Sequence, residues 1–349
     1  MKKTTLNLTY AYILGIDVSK ESLDACLIRK SDGQVFEQKF NNNPEGFRKM
    51  KAWLRQQGAQ ADSDTLACME HTGLYTRRLV HYLLGRGVHV WLESALQIKR
   101  SMGLVRGKDD KVDAQRIARY AFVQPDKAVL VNLSGTTLEK LKDLHANRNR
   151  LLKALHSLKV SVKELLKVDS ESGKTMEKVN KEAIRGLEQS LEQVEEKMAE
   201  FIEKDEELMR KYDLLTSIKG VGKVLAVSLL IYTNGFAKLQ NARKLACYCG
   251  VAPFEHKSGT SVFGPTGVSQ FANKDLKRVL HLAAISSVHH NEELKAYFQR
   301  KVKEGKKKMS VINAVRNKLL HQIVAVIKRG TPYELRLPGA VDQTKMKIG

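Results

Sequence analysis

Cysteine is scarce, with four residues in a chain of 349. So few cannot staple a protein of this length, which points to a reducing compartment, the cytoplasm. Aromatic residues are scarce too, at 6%, and this argues against a platform that stacks single-stranded bases. No run of about 18 apolar residues occurs, so a membrane-spanning helix is not expected. The chain opens on two lysines without a long apolar stretch or a small-residue cleavage site, so no signal peptide is expected. Acid is the sparse charge: 38 Asp+Glu stand against 60 Lys+Arg, a net charge of +22.

What remains is 42% hydrophobic and 28% charged, a globular composition. The length suits two to three domains of roughly 150 residues each. A pI near 9.7 points to a polyanionic partner, with nucleic acid ahead of an anionic membrane surface. From position 251 onward, 18 Lys+Arg face 7 Asp+Glu, half of the whole excess. A polyanion is therefore expected mainly on the last third, although a solvated helix face explains part of such a count.

The first 130 residues alternate strand and helix patterns. Strands are predicted over 12–18, 23–28, 35–40, 65–70 and 89–92, with a turn at Ser31-Asp32-Gly33. A helix is predicted from Pro44 to about Gln57, with Asn43 as N-cap, another over 74–84, and further helices to about Phe122. This β-β-β-α-β-α-β-α order is that of an RNase H-like α/β domain, although other α/β layouts share it. In the middle, apolar residues at 141, 144, 151, 155, 158, 162 and 165 recur in steps of three and four, interrupted at Arg148. A second set at 184, 187, 191, 194, 198, 201 and 208 is interrupted by Asp205. Two long helices separated by Asp169-Ser170-Glu171-Ser172-Gly173 are expected, as a coiled-coil arm or a two-helix packing element. The last third is predicted to be mostly helical, interrupted by one glycine-rich loop over 250–261, with a frayed tail after Pro338.

Four acidic residues stand out by position: Asp17 closing the first strand, Glu70 ending the fourth, and Asp110 and Asp113 three apart at the start of a helix. A spacing of three puts Asp110 and Asp113 on one helical face. In an RNase H-like fold the first strand is central, the fourth lies beside it and the late helix crosses their ends, so the four could converge. Clustered carboxylates repel, and hard oxygen ligands favour Mg²⁺ or Mn²⁺. Taken singly, each Asp is better explained as a cap or surface charge, and it is their joint placement at two strand ends and one helix start that points to a site; Asp109 reads as a helix N-terminal charge. Lys219, Gly220, Gly222 and Lys223 resemble the hairpin of a helix-hairpin-helix element, where backbone N–H groups approach a phosphate, or else form a tight helix–helix turn. Lys257 and the run Lys306, Lys307 and Lys308, continuing into Arg316 and Lys318, suit phosphate contacts. Cys247 and Cys249 lack zinc-site spacing and read as core packing.

The segments Gly-Ile-Asp17-Val-Ser-Lys, Met-Glu70-His-Thr-Gly-Leu-Tyr and Lys-Asp-Asp110-Lys-Val-Asp113-Ala resemble, in order and spacing, a known signature. It is that of the DEDD transposases of the "one-hundred-and-ten" group of bacterial insertion sequences, which includes the pilin-gene invertases. Ile-Lys-Gly-Val-Gly, Gly250-Val-Ala-Pro253, Lys-Ser258-Gly259 and Ala272-Asn273-Lys-Asp-Leu276-Lys resemble that family's second domain. The resemblance departs at Asp109, where Thr is common, and at 271–273, where Gly-Asn is common.

The resemblance implies a Holliday-resolvase-like domain over 1–130, a helical coiled-coil region over 131–213, a helical domain with a serine loop over 214–337 and a flexible tail. It implies that Asp17, Glu70, Asp110 and Asp113 bind metal, and that a C-terminal serine attacks a DNA phosphate to form a covalent phosphoserine. Ser258 matches that position best, with Ser261 and Ser269 kept open. It further implies double-stranded DNA and a structured guide RNA as partners, a homodimer or homotetramer, and a bacterial cytoplasmic, nucleoid-associated protein. The alternatives are a metal-dependent junction nuclease that hydrolyses DNA with water and a catalytically silent nucleic-acid-binding protein.

Overall fold

A computed structural model describes residues 10–71, 73–101, 110–131, 136–237, 239–258, 262–268 and 272–334, with backbone alone at 110, 111, 136, 255–258 and 262–266. It divides into two compact units, Met1–Leu133 and Ser134–Gly349.

The first unit is built on five strands: β1 (Tyr12–Val18), β2 (Ser22–Arg29), β3 (Val35–Asn41), β4 (Thr65–Glu70) and β5 (His89–Glu93). Their order is β3-β2-β1-β4-β5. β1 pairs antiparallel with β2 and parallel with β4, and β5 runs parallel to β4. The central first strand and its parallel fourth neighbour are those expected of an RNase H-like sheet. Side chains alternate across the sheet, so each face has its own core. One face packs Leu14, Ile16 and Val18 against α1 (Pro44–Gln56) and α2 (Arg77–Leu84) through Phe47, Met50, Trp53, Leu79 and Leu83. Asn43 caps α1 as expected, its side chain accepting a hydrogen bond from the Gly46 N–H at 2.8 Å. α2 starts three residues later than predicted, because Gly73 adopts a left-handed φ of 77° and the chain turns through 73–76 first.

The opposite face packs Ile13, Cys26, Leu66, Cys68 and Trp91 against α3 (Ala95–Ser101) and α4 (Asp110–Val123) through Ile98, Ala114, Ile117, Ala118 and Ala121. The closest approach is at Gly15. A Cβ there would lie 2.3 Å from the Ala118 nitrogen and 2.6 Å from the Ala114 carbonyl oxygen, both backbone atoms.

The second unit begins with α5 (Thr136–Val168) and α6 (Ser170–Glu203), which pack along each other. Arg148 spans them to Glu195 at 2.6 Å, and Lys159 reaches Glu188 at 2.6 Å. The residue that interrupts the apolar repeat of α5 is thus a cross-helix partner. The expected five-residue separator is a single residue: the Asp169 carboxylate accepts from the Glu171 and Ser172 N–H groups, and 170–173 are already helical. Asp205 ends the second repeat for the same reason, as the N-cap of α7 (Glu206–Thr216). The chain continues through α8 (Lys223–Thr233), α9 (Ala242–Tyr248), α10 (Lys274–His290), α11 (Glu292–Lys303) and α12 (Lys308–Arg329).

Half of the segment predicted as a glycine-rich loop over 250–261 is instead a strand, β6 (Pro253–Ser258), which pairs antiparallel with β7 (Val262–Val268) just beyond that segment. The glycines and prolines of 250–268 masked the alternation that marks a strand. Cys249 lies in the core of this unit, and Cys247 is half-buried. Among the described residues no helix is long and apolar enough to cross a membrane.

Replacing Gly15 by Ala drives a methyl into the α4 backbone, which has no flexible end to give way. We expect a loss of about 1–3 kcal/mol or more, read as a lowered urea midpoint. An unchanged midpoint would show that α4 does not rest on β1.

Candidate functional site

The strand register sets out the acidic residues. Ile16 of β1 lies beside Met69 of β4, so the next residues along the two parallel strands are Asp17 and Glu70. Asp17 also pairs with Asp24 of β2, and Glu70 with Glu93 of β5. By alternation all four belong to the face that carries α4, since Gly15, Cys68 and Trp91 lie two positions before Asp17, Glu70 and Glu93, and Cys26 two positions after Asp24. A row of four carboxylates, Asp24–Asp17–Glu70–Glu93, therefore crosses four adjacent strands at one end of the sheet.

Each member is held differently. Asp24 is buried, 6% exposed, and pairs at 3.2 Å with Lys39 from β3. Asp17 and Glu70 are half-buried, and Glu70 has no hydrogen bond or ion pair among the described residues. Glu93 accepts hydrogen bonds from the Tyr120 hydroxyl at 3.2 Å and the Ser94 N–H at 2.7 Å. Burial, then the Glu93 charge, pushes the Tyr120 hydroxyl up to about 12. Burial likewise pushes the Cys26 thiol up to about 12, and Cys68 upward. These groups stay neutral beside the row.

α4, the helix that covers this face, carries Asp113 in its first turn. Asp113 directly precedes Ala114, whose carbonyl lies over Gly15. It is paired with Arg116 one turn on, at 2.6 Å. Asp110 opens the helix, but its side chain lies outside the described residues, as does all of Asp109. Among the described side chains, no three His, Cys, Asp or Glu stand close enough together to hold a metal ion. Sequence reasoning overlooked Asp24 and Glu93. The expected fifth strand stopped at Leu92, one residue short of Glu93. The available signal was that β4 and β5 both end in Glu, which parallel pairing puts side by side.

In the second unit Ser258 is the last residue of β6 and pairs with Val262. Its side chain and that of Lys257 lie outside the described residues, and so do Ser261 and Ser269 entirely. Lys219 and Lys223 are exposed on either side of a tight turn between α7 and α8, with Gly222 as the N-cap of α8. Gly220 has φ of 101° there, and a Cβ on it would lie 2.0 Å from the Ser287 Oγ, so α10 fixes the turn. Lys306, Lys307 and Lys308 are exposed at the start of α12. Arg316 departs from the expected surface run: it sits among the core-facing residues of α12 and is 8% exposed. Lys318 lies over the Tyr297 ring, 4.6 Å from its centre.

Residues 14–168 match the DEDD, IS110-type family described as "Transposase", and residues 212–299 match the "Transposase IS116/IS110/IS902 family". The chain belongs to the IS110 family of DEDD transposases. This transposase is similar along almost its whole length to the pilin gene-inverting protein of Moraxella bovis. The two are 29% identical over 335 residues, 93% of this chain and 98% of that one. The insertion element IS110 43.6 kDa protein of Streptomyces coelicolor is 31% identical over 131 residues, 37% of the transposase and 31% of that protein. Among solved structures, Thermus thermophilus RuvC in complex with a Holliday junction substrate matches 35% of the transposase and 100% of that chain, at 13% identity and a TM-score of 0.24.

The Glu93–Tyr120 contact is open to test. Glu93→Gln removes the charge that opposes phenolate formation, so the Tyr120 hydroxyl should titrate below about 12 in an ultraviolet pH titration. An identical curve for the two proteins would show that the two groups are not in contact.

Proposed function

We propose that this transposase cuts and exchanges DNA strands by a metal-assisted serine mechanism, with a structured RNA of its own element supplying sequence choice. The observation that supports the reading is the arrangement at the end of β1 and β4: two half-buried carboxylates at neighbouring positions, on the sheet face that packs against α4, the helix whose sequence includes Asp110 and Asp113. The donor set fits a hard divalent cation, since it is all oxygen and lies at a sheet end where like charges otherwise repel. Asp17, Glu70, Asp110 and Asp113 would hold Mg²⁺ or Mn²⁺. Such an ion supplies stabilisation of charge that builds on a phosphate under attack.

The remaining chemistry belongs to the chain. The Ser258 hydroxyl attacks the phosphate, a bond forms between Oγ and phosphorus, and the bond from phosphorus to a sugar oxygen breaks. The serine proton leaves with that sugar oxygen. A sugar hydroxyl of a different strand then reverses the step and frees the serine. The count of phosphoester bonds is unchanged throughout, so exchange needs no ATP. In this scheme the carboxylate unit of one subunit serves the serine of another, within a dimer or tetramer. The basic surface, including Lys219, Lys223 and Lys306–Lys308, neutralises nucleic-acid backbone, while base pairing reads sequence that a lysine-rich, aromatic-poor protein cannot read by stacking.

The test is a suicide substrate, a nicked element end that loses its leaving strand. The protein should become covalently joined to DNA through a serine, identified by peptide mass spectrometry, and Ser258→Ala should reduce the adduct and strand exchange to below about a thousandth. Cleavage that persists in Ser258→Ala with Ser261 and Ser269 intact removes Ser258 from the mechanism. Cleavage with no adduct in the unaltered protein favours hydrolysis by water.

A further inference from the structure

Arg316 is an anomaly in the second unit. It is 8% exposed, and its Nε is buried without a hydrogen-bond partner. No carboxylate or carbonyl among the described residues pairs with it. A buried cation without a partner is costly, and a buried Arg is normally tied to an acid. Burial pulls its pKa downward, yet a guanidinium starts so high that it keeps its charge at neutral pH. The cost is therefore not relieved by losing a proton.

Its surroundings share the deficit. His281 of α10 has its Nδ1 buried without a partner, and its pKa is held low by burial and then by Arg316. Asn317, next along α12, has a buried Oδ1 without a donor. One turn before Arg316, the Asn313 side-chain amide donates to the Val251 carbonyl at 2.9 Å. Val251 lies two residues before the start of β6, the strand that ends in Ser258. This stretch of α12 thus sits at the root of the ribbon. The neighbouring face of α10 is itself basic, with Lys274, Lys277 and Arg278.

We propose that Arg316, with His281 beside it, is a binding site for one phosphodiester group of a nucleic-acid backbone, seated at the root of the β6–β7 ribbon. The planar guanidinium offers a two-pronged donor to phosphate oxygens, and a neutral imidazole can add one N–H without competing for the anion. A phosphate there would supply the partner that the fold withholds and would register the strand against the ribbon. This deepens the function proposed above and rests on its nucleic-acid substrate, not on the identity of the nucleophile.

The experiment compares the full chain with Arg316→Met and Arg316→Lys. Thermal unfolding is measured without ligand and with inorganic phosphate, and anisotropy with a labelled DNA duplex and a labelled RNA hairpin. Arg316→Met removes an unpaired buried charge, so it should unfold at the same temperature or higher without ligand and should lose the stabilisation by phosphate. Its affinity for the nucleic acid should fall about tenfold. For duplex DNA, the slope of log affinity against log salt should shrink by about 0.9. Loss confined to the duplex or to the hairpin assigns the phosphate to DNA or RNA, and Arg316→Lys should fall between. Unchanged affinity and slope for both nucleic acids overturn the site, and so does a less stable Met variant that binds normally. If the Met variant does not fold, Arg316→Lys binding both nucleic acids at full strength with an unchanged salt slope overturns it. Ser258→Ala serves as the control: it should bind like the unaltered protein, so a failure of the serine mechanism and a failure of this site give different results.

Discussion

The first unit depends on the missing side chain at Gly15. With no Cβ on the central strand, the backbone of α4 rests directly on β1, its Ala114 carbonyl and Ala118 nitrogen over Gly15. Any larger residue would lift the helix that carries Asp113 away from the strand that carries Asp17. The fold therefore concentrates negative charge in a protein that is otherwise strongly positive. Asp24 is compensated by Lys39 and Glu93 by the Tyr120 hydroxyl. Asp17 and Glu70 lie between them in the row.

The second unit poses the converse problem. Its charge is cationic, and Arg316 shows that some of it is built into the interior of a helical layer. The first unit thus gathers a row of carboxylates, and the second holds a buried guanidinium without a hydrogen-bond partner at its Nε. The metal-assisted reaction proposed above, on a nucleic-acid phosphate, would bring a cation to the first and an anion to the second. Ser258 belongs to this unit, at the end of a short ribbon whose root is tied to α12 through Asn313.

Much of the first unit was legible because its signals are local. The apolar runs over Tyr12–Val18 and Thr65–Glu70 and the Asn43-Pro44 cap each fix an element without help from distant residues. Glu93 was not legible, since its relevance comes from parallel pairing with Glu70, a non-local fact. Asp169 was read as part of a five-residue separator and Asp205 as a break in an apolar repeat, whereas both are N-caps, with one residue between α5 and α6 and two between α6 and α7. The β6–β7 ribbon was hidden by its Gly and Pro content. Arg316 was read with the basic run because charge alone does not reveal which face of a helix it occupies.

Binding of Mn²⁺ to the full-length protein, followed by electron paramagnetic resonance, bears most directly on the carboxylate centre. The unaltered protein should bind the ion, and Asp17→Asn should lose that binding while keeping the thermal stability and DNA affinity of the parent. Equal Mn²⁺ binding by the two proteins would contradict the account.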